Sequence, residues 1–442
     1  MKETEKNMIG LVIAYLIVFA GLWFFFSRAR KLAVFSTSSG KRFFPMVFLL
    51  ITVITISMLS LLLVSSSGTI IDENNYIKAI GDVQRFDFFS YTITQYITAL
   101  PGYTYAIGLI SLVLGITTLN GLRVLSFLMA VGGIPLFYLL ARKDLEKGSI
   151  FKTLQFYFLP VLFPFFFLLY TDAFSLVFVL GMFYLVTKKR YNTAGIIGLL
   201  GLAVRQNSII WYSLAFAASY LHEEGWKLSW GAVVRQLKRA ATFIIGVIVF
   251  ITFAMVNNGF ALGDRAMHPA FAFHVENIYF ALFLIFFLSL PFQVMHWRQH
   301  MQLLKKPLTW FGIITIVAGY ILFFRVTHPF NIVSGVWRNH LFWLIQQHVY
   351  LQLLFLLAVI FAFLFLLNTK LQKPYNRLFY PAVIAVLLPS WLIEPRYYIV
   401  PFALFILWRE VENEQLELLQ TGWSALLSIC MFTGIILSGF ML

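Results

Sequence analysis

The 442-residue chain is 60% hydrophobic and only 12% charged, with a mean hydropathy of +0.84. That balance excludes a soluble globular domain and predicts an integral membrane protein, because apolar runs of roughly 17–25 residues, the length a helix needs to cross a bilayer, recur from end to end. A formal charge of +15 would point a soluble chain towards nucleic acid, but here the basic residues sit in short loops between apolar runs, where they set orientation, and no nucleic-acid partner is expected.

The first apolar run, 9–26, is followed by no small-residue cleavage site and is expected to stay as a membrane helix. After it, 23 of the 33 Lys and Arg fall in seven stretches: 28–42, 142–152, 188–190, 227–239, 298–306, 370–377 and Arg409. The positive-inside rule makes these stretches cytoplasmic, so the chain crosses an even number of times between each pair. Six hairpins result, 43–141, 153–187, 192–221, 240–296, 308–369 and 377–408, with one span before them and one after. The prediction is an all-α, polytopic transmembrane protein with about fourteen spans. It forms a single membrane domain over 1–442: an N-terminal span and cytoplasmic loop (1–42), an outer loop (67–118) and the remaining helices (119–442). The sole cysteine, Cys430, lies in the last run, so no disulfide or cysteine metal site is expected.

Parity decides two ambiguous regions. Residues 192–221 must be a hairpin with "RQNS" at its tip, and 101–118 must be a re-entrant or surface-lying helix rather than a span. The stretch before the latter, "FDFFSYTITQY", is aromatic and amphipathic, as expected of an interfacial helix.

The hairpin tips, all on the non-cytoplasmic face, read "IDENNY", "YTDAFS", "VRQNS", "LGDRAMH", "RVTHPF…VWRNH" and "IEPRYY". A single polar tip reads as ordinary loop polarity or a helix cap, and an isolated Arg near a helix end as a snorkelling side chain. Six such tips on one face of a charge-poor chain need a further reason, since an ionisable group at membrane depth costs about 2.5–3.5 kcal/mol. A transporter would place them at mid-membrane between repeated halves, and no repeat is present. An enzyme acting on a lipid-linked substrate would gather a carboxylate and phosphate-binding cations at one surface. Glycosyl transfer from a polyprenyl phosphate needs a general base, supplied by Asp72 or Glu73, and donors for the leaving phosphate, for which Arg265, His268, Arg338, His340 and Arg396 are candidates. Asp172, Arg205, Gln206, Asp264, His328 and Glu394 are candidates for contacting the acceptor. For Asp172, a helix-capping role stays open beside acceptor binding.

Taken in order from residue 72, "DE", "ITALPGYTY", "YTDAFS", "VRQNSIIW", "GDRAMH" with "IYF", "HPF" and "IEPRYYIVP" resemble the dolichyl-phosphate-glucose alpha-1,2-glucosyltransferases of the GT-C superfamily. The resemblance implies a GT-C-type fold, a lipid phosphate sugar donor, a lipid-linked glycan acceptor, and an inverting transfer without metal or other cofactor. It places catalysis on the lumenal face of the endoplasmic reticulum membrane in a eukaryote, or the extracytoplasmic face of the plasma membrane in a prokaryote. By position it favours Asp72 as the base, with Glu73 orienting acceptor or base. The chain departs from the family pattern at Tyr76, where a histidine is usual, and at "VSGVWRNHLFW", which replaces an Asp-Asn-Arg-His-Tyr stretch. A related mannosyl- or protein-glycosyltransferase, or a lipid or glycan transporter, remains the alternative. Asp82 and Asp87 are read as loop polarity, His222 and His296 as cytoplasmic surface residues, and "WREVENEQLELL" as a solvated connector.

Overall fold

The computed structural model describes residues 40–144, 148–268, 273–332 and 339–438, with positions 10, 13, 15, 17, 18, 20 and 21. Among these residues the protein is all-helical and contains no strand, only an isolated bridge between Leu371 and Arg409. Four described helices are long and apolar enough to cross a membrane, Met46–Ser65, Leu119–Arg142, Val349–Asn368 and Glu414–Leu437. Two bent pairs raise the number to six: Trp230–Arg239 with Ala241–Val256, at 82°, and Trp297–Leu303 with Pro307–Phe323, at 94°. The expected first span, 9–26, lies mostly outside the described residues, but Tyr15 is buried and bonds Ser60 Oγ at 2.8 Å.

Helices α1 (Gly40–Ser65), α2 (Glu73–Gln84), α3 (Gly102–Leu114) and α4 (Leu119–Ala130) come first in the described chain. Helix α3 has 13 residues and packs on α2. Helix α4 runs on towards α5 (Gly133–Asp144). Helix α6 (Ser149–Tyr157) stops early because Pro160 and Pro164 cannot continue it, and residues 158–170 follow as a wholly buried irregular segment. Such backbone is tolerated within a membrane protein only where other protein encloses it. Here helix α7 (Thr171–Thr187) and the aromatic rings of Phe127, Phe156 and Phe432 do so.

The region 192–221 divides into α8 (Tyr191–Val204) and α9 (Ser208–Glu224), with Arg205 extended between them (φ −144°, ψ 116°). Glycines let α8 approach its neighbours closely, since a Cβ on Gly195 would strike Thr242 and one on Gly198 would strike Tyr212. After the kinked pair α10 (Trp230–Arg239) and α11 (Ala241–Val256), helix α12 (Glu276–Leu288) packs along α13 (Val349–Asn368). The chain ends with α14 (Ile399–Trp408) and α15 (Glu414–Ser438).

Two surface readings need correction. "WREVENEQLELL" is not simply solvated: Arg409 and Glu417 form a buried pair at 2.7 Å, Gln155 joins it at 2.8 Å, and the buried Lys152 ammonium donates to the Leu407 and Arg409 carbonyls. His296 is likewise buried, 2.7 Å from Glu412, because the turn beyond α12 folds back onto the last connector; His222 remains partly exposed beside Tyr191. Removing one partner of a buried pair strands the other charge, at a cost of roughly 3–5 kcal/mol, whereas an exposed ion pair is worth at most about 1 kcal/mol. Glu417→Ala is therefore expected to lower the apparent melting temperature in detergent strongly, and Glu412→Ala, on a side chain that is 41% exposed, only slightly.

Candidate active site

The acid pair sits where the chain leaves α1 and starts α2, and its two members face different surroundings. Glu73 is fully buried and receives Arg123 Nε at 3.0 Å and Nη2 at 2.6 Å, with the backbone N–H groups of Ile70 at 2.8 Å and Leu169 at 2.9 Å. Arg123, from the second turn of an apolar helix, spends its remaining donors on the carbonyls of Val64, Ser67 and Gly68. Ile71 is held at φ 47°, a conformation that costs a β-branched residue roughly 1–2 kcal/mol and that the surrounding bonds must enforce. Asp72 is thereby fixed at the N-cap of α2, its N–H donating to Tyr170 Oη at 3.1 Å. Its carboxylate makes no capping bond and instead lies 3.5 Å from Arg396.

Arg396 arrives on an irregular segment, 388–398, clipped by neutral amides. Asn331 exchanges two 3.0 Å bonds with the backbone of Ile393, and Asn277 donates to Ser390 O at 2.6 Å and Leu392 O at 3.1 Å. Glu394 is fully buried and accepts from Arg396 Nε at 2.6 Å, while the guanidinium also lies against the rings of Tyr170 and Tyr397. His328 is buried against Trp391 and braces the same segment without lining the cavity described next.

A cavity of about 780 Å³ opens in front of Asp72 and Arg396. Its roof is a clasp of two loops: Leu262, Gly263 and Asp264 donate backbone N–H bonds to the carbonyls of Thr98, Ile97 and Gln95 at 3.1, 3.0 and 2.9 Å. Position 263 must be glycine, since a Cβ there would lie 2.6 Å from the Gln95 backbone, and Asp264 adopts the left-handed conformation (φ 47°). Asp264, Arg265 and His268 all line this cavity. Arg265 is exposed and steadied by Asn257 Oδ1 at 2.5 Å and Leu262 O at 3.3 Å. Burial, then the nearby Arg396 and His328, lower the His268 pKa to about 4 against a smaller raising effect of Asp72, so its imidazole is neutral near pH 7 and would hydrogen-bond a phosphate without adding charge.

The profile of the DIE2/ALG10 family matches residues 67–231 and 223–407, a range that holds every element of the cavity. The chain belongs to the DIE2/ALG10 family. Its relatives include proteins named Dol-P-Glc:Glc(2)Man(9)GlcNAc(2)-PP-Dol alpha-1,2-glucosyltransferase from Rattus norvegicus, 25% identical over 73% of this chain and 80% of that one, and from Mus musculus, 26% identical over the same shares. The protein of that name from Candida albicans is 27% identical over 62% of this chain and 65% of its own length. No solved structure matches the chain.

Of the candidates named from sequence, the DIE2/ALG10 fold brings Asp72, Asp264, Arg265, His268 and Arg396 to one cavity. Glu73 does not line it, and all its acceptor positions are occupied inside the protein. Glu394 stands behind Arg396. Asp172 lies in the first turn of α7 and pairs with Arg205; the N-cap itself is Tyr170, so Asp172 does not cap the helix. Gln206 holds the clasp, donating to Thr98 O at 2.7 Å and accepting from Leu100 N–H at 3.3 Å. His340 begins the helix His340–Gln347 and is not in the cavity wall, and Arg338 lies outside the described residues. Asp82 bonds Arg85 at the end of α2, and Asp87 donates its backbone N–H to Asp82 O at 2.9 Å; neither lines the cavity. Sequence reading passed over Arg123, although an arginine inside an apolar helix is itself a signal, and Tyr170, whose burial nothing local announces.

Two outcomes follow from this geometry. Glu73→Gln leaves the Arg123 guanidinium buried without its counter-charge, so a stability loss of roughly 3–5 kcal/mol is expected in thermal melts, and Arg123→Lys should not restore the wild type because an ammonium cannot supply the fork of five donors. Because unfolded His268 takes up a proton near pH 6.5 while the folded residue resists until about 4, its contribution to stability is complete above pH 6.5 and is lost as pH falls towards 4. His268→Asn should flatten the decline of melting temperature over that window.

Proposed function

We propose that this chain is an inverting glucosyltransferase of GT-C type that moves glucose from a dolichyl or other polyprenyl phosphate to a lipid-linked oligosaccharide in alpha-1,2 linkage. The observation that carries the reading is the Asp72–Arg396 pair at the mouth of a large cavity, in a chain of the DIE2/ALG10 family whose relatives bear that activity in their names. An acceptor hydroxyl oxygen attacks the anomeric carbon of the donor glucose from the face opposite the phosphate. Asp72 takes the hydroxyl proton as the new C–O bond forms. The bond from the anomeric carbon to the phosphate oxygen breaks, and polyprenyl phosphate leaves with its charge facing Arg396 and Arg265, while His268 donates a neutral hydrogen bond. Glu394 and the two flanking tyrosine rings keep Arg396 in place.

In the same reading the chain is one membrane domain. The shorter apolar helices, such as Thr171–Thr187 and Tyr191–Val204, pair with the longer ones to give about fourteen crossings, and the cavity opens to the lumen of the endoplasmic reticulum or its extracytoplasmic equivalent. The Asp172–Arg205 pair, Gln206 and Asp264 form the acceptor side, and α2 with α3 lies along the interface.

The test is sugar transfer by purified protein with dolichyl phosphate glucose and the diglucosylated dolichol-linked oligosaccharide. Asp72→Asn keeps the shape and removes the base, so kcat is expected to fall by about 10²–10⁴ with donor binding retained. Arg396→Ala and Arg265→Ala should impair donor use, the former by about 10²–10³, while Arg298→Ala, an exposed arginine outside the cavity, should not. Wild-type turnover by Asp72→Asn protein would refute the assignment.

A further inference from the structure

Between α2 and α3 the chain forms a single π-helical turn, Thr92–Tyr96, a geometry that recurs at functional sites. Four of its neighbourhood's side chains, Tyr91, Thr94, Gln95 and Tyr96, line the cavity wall. Tyr91 and Tyr96 are 70% and 56% exposed, and their rings meet edge to face at 5.6 Å. The turn is also held rigidly: Gln95 and the two residues after Tyr96 receive the backbone bonds of the 262–264 clasp, and Gln206 bonds Thr98 and Leu100. A pair of large aromatic residues so placed is a platform held open by the fold rather than a side-chain cluster waiting to collapse.

The chemistry of this wall differs from that around Asp72. The charged groups of the cavity are carried by Asp72, Asp264, Arg265 and Arg396, whereas the 91–98 segment lines it with two phenol rings, the hydroxyls of Thr94 and Thr98, the Gln95 amide and the aliphatic Ile97, and with no charge. A pyranose presents an apolar C–H face and a rim of hydroxyls. Phenol rings cover the first, and hydroxyl and amide groups pair with the second. A lipid tail would leave those polar groups unpaired, and a phosphate would find no cation among them.

We propose that Tyr91 and Tyr96, with Thr94 and Gln95, form the subsite for the glycan of the acceptor, holding a sugar ring against the π-turn so that its hydroxyl reaches Asp72. This assignment rests on the glycosyltransferase reading and deepens it, since that reading places only charged and amide residues on the acceptor side. Phe89 supplies the contrast: it precedes the turn, is 84% exposed and does not line the cavity, as an aromatic residue contacting only the membrane interface would.

The experiment measures KM for the diglucosylated dolichol-linked oligosaccharide and for dolichyl phosphate glucose separately, together with direct binding of the oligosaccharide acceptor, in wild type, Tyr91→Ala, Tyr96→Ala, Tyr96→Phe and Phe89→Ala. Tyr91→Ala and Tyr96→Ala are expected to raise acceptor KM and weaken acceptor binding by about tenfold with donor KM unchanged, Tyr96→Phe to do so less, and Phe89→Ala not at all. Unchanged acceptor KM and binding in both tyrosine variants would overturn the subsite, as would an equal rise in both substrates' KM or the same effect from Phe89→Ala. A wild-type protein that transfers nothing, yet binds the acceptor more tightly than the two alanine variants, would sink the transferase reading and leave the subsite standing.

Discussion

The buried pair of Glu73 and Arg123 is the contact on which the site depends. Every acceptor position of the carboxylate and every N–H of the guanidinium has a partner inside the protein. Isolated, either charge would be prohibitive at that depth, and even paired they are weak evidence for net stability, because desolvation offsets most of the Coulombic gain. Their value is geometric. Through one cluster they tie the end of α1, the turn before α2, the backbone at Leu169 and the second turn of α4, and this holds Ile71 in its left-handed conformation and Asp72 at the front of α2. Two adjacent acids thus take opposite tasks, one inside the fold and one facing the cavity.

The irregular segments around the cavity show a second mode of construction, using neutral amides. Asn277, Asn331 and Gln206 each bond two backbone groups of a segment that has no ladder or helix of its own. Buried backbone must find partners, and an amide side chain offers both a donor and an acceptor without a charge to neutralise. That is how irregular loops become stiff enough to carry Arg396 and the clasp.

Much of this arrangement was legible in the sequence. The acid pair, "GDRAMH" and "IEPRYY" marked residues that do meet, and the break at Arg205 followed from the placement of basic loops. Adjacency hid the split between Asp72 and Glu73, since neighbours at a helix start point in directions set by tertiary partners. Arg123 escaped because counting basic clusters discards a lone arginine, the kind whose presence in an apolar helix demands a buried acid. The tyrosines of 91–96 were read as an interfacial stretch, and only the clasp formed with residues far along the chain turns them towards a cavity. "WREVENEQLELL" misled for a related reason: charge density alone signals solvent, but Glu417 is committed to Arg409.

The Arg123–Glu73 and Arg409–Glu417 clusters obey one rule. Arg123 donates to carbonyls at and beyond the C-terminal end of α1, and Lys152 donates to those of Leu407 and Arg409 at the end of α14. The last carbonyls of any helix lack intrahelical partners and carry the negative end of its dipole. At a water-exposed end solvent satisfies them, but a helix that ends inside protein needs donors brought to it. A cation supplies several at once and suits the dipole, yet it cannot be left alone in a low dielectric, so each acquires an acid: Glu73 beside Arg123, and Glu417 beside Arg409 and Lys152. These two buried acids, Glu73 and Glu417, are thus consequences of where helices stop, and Asp72, next to one of them yet directed at the cavity, inherits its fixed position from that requirement.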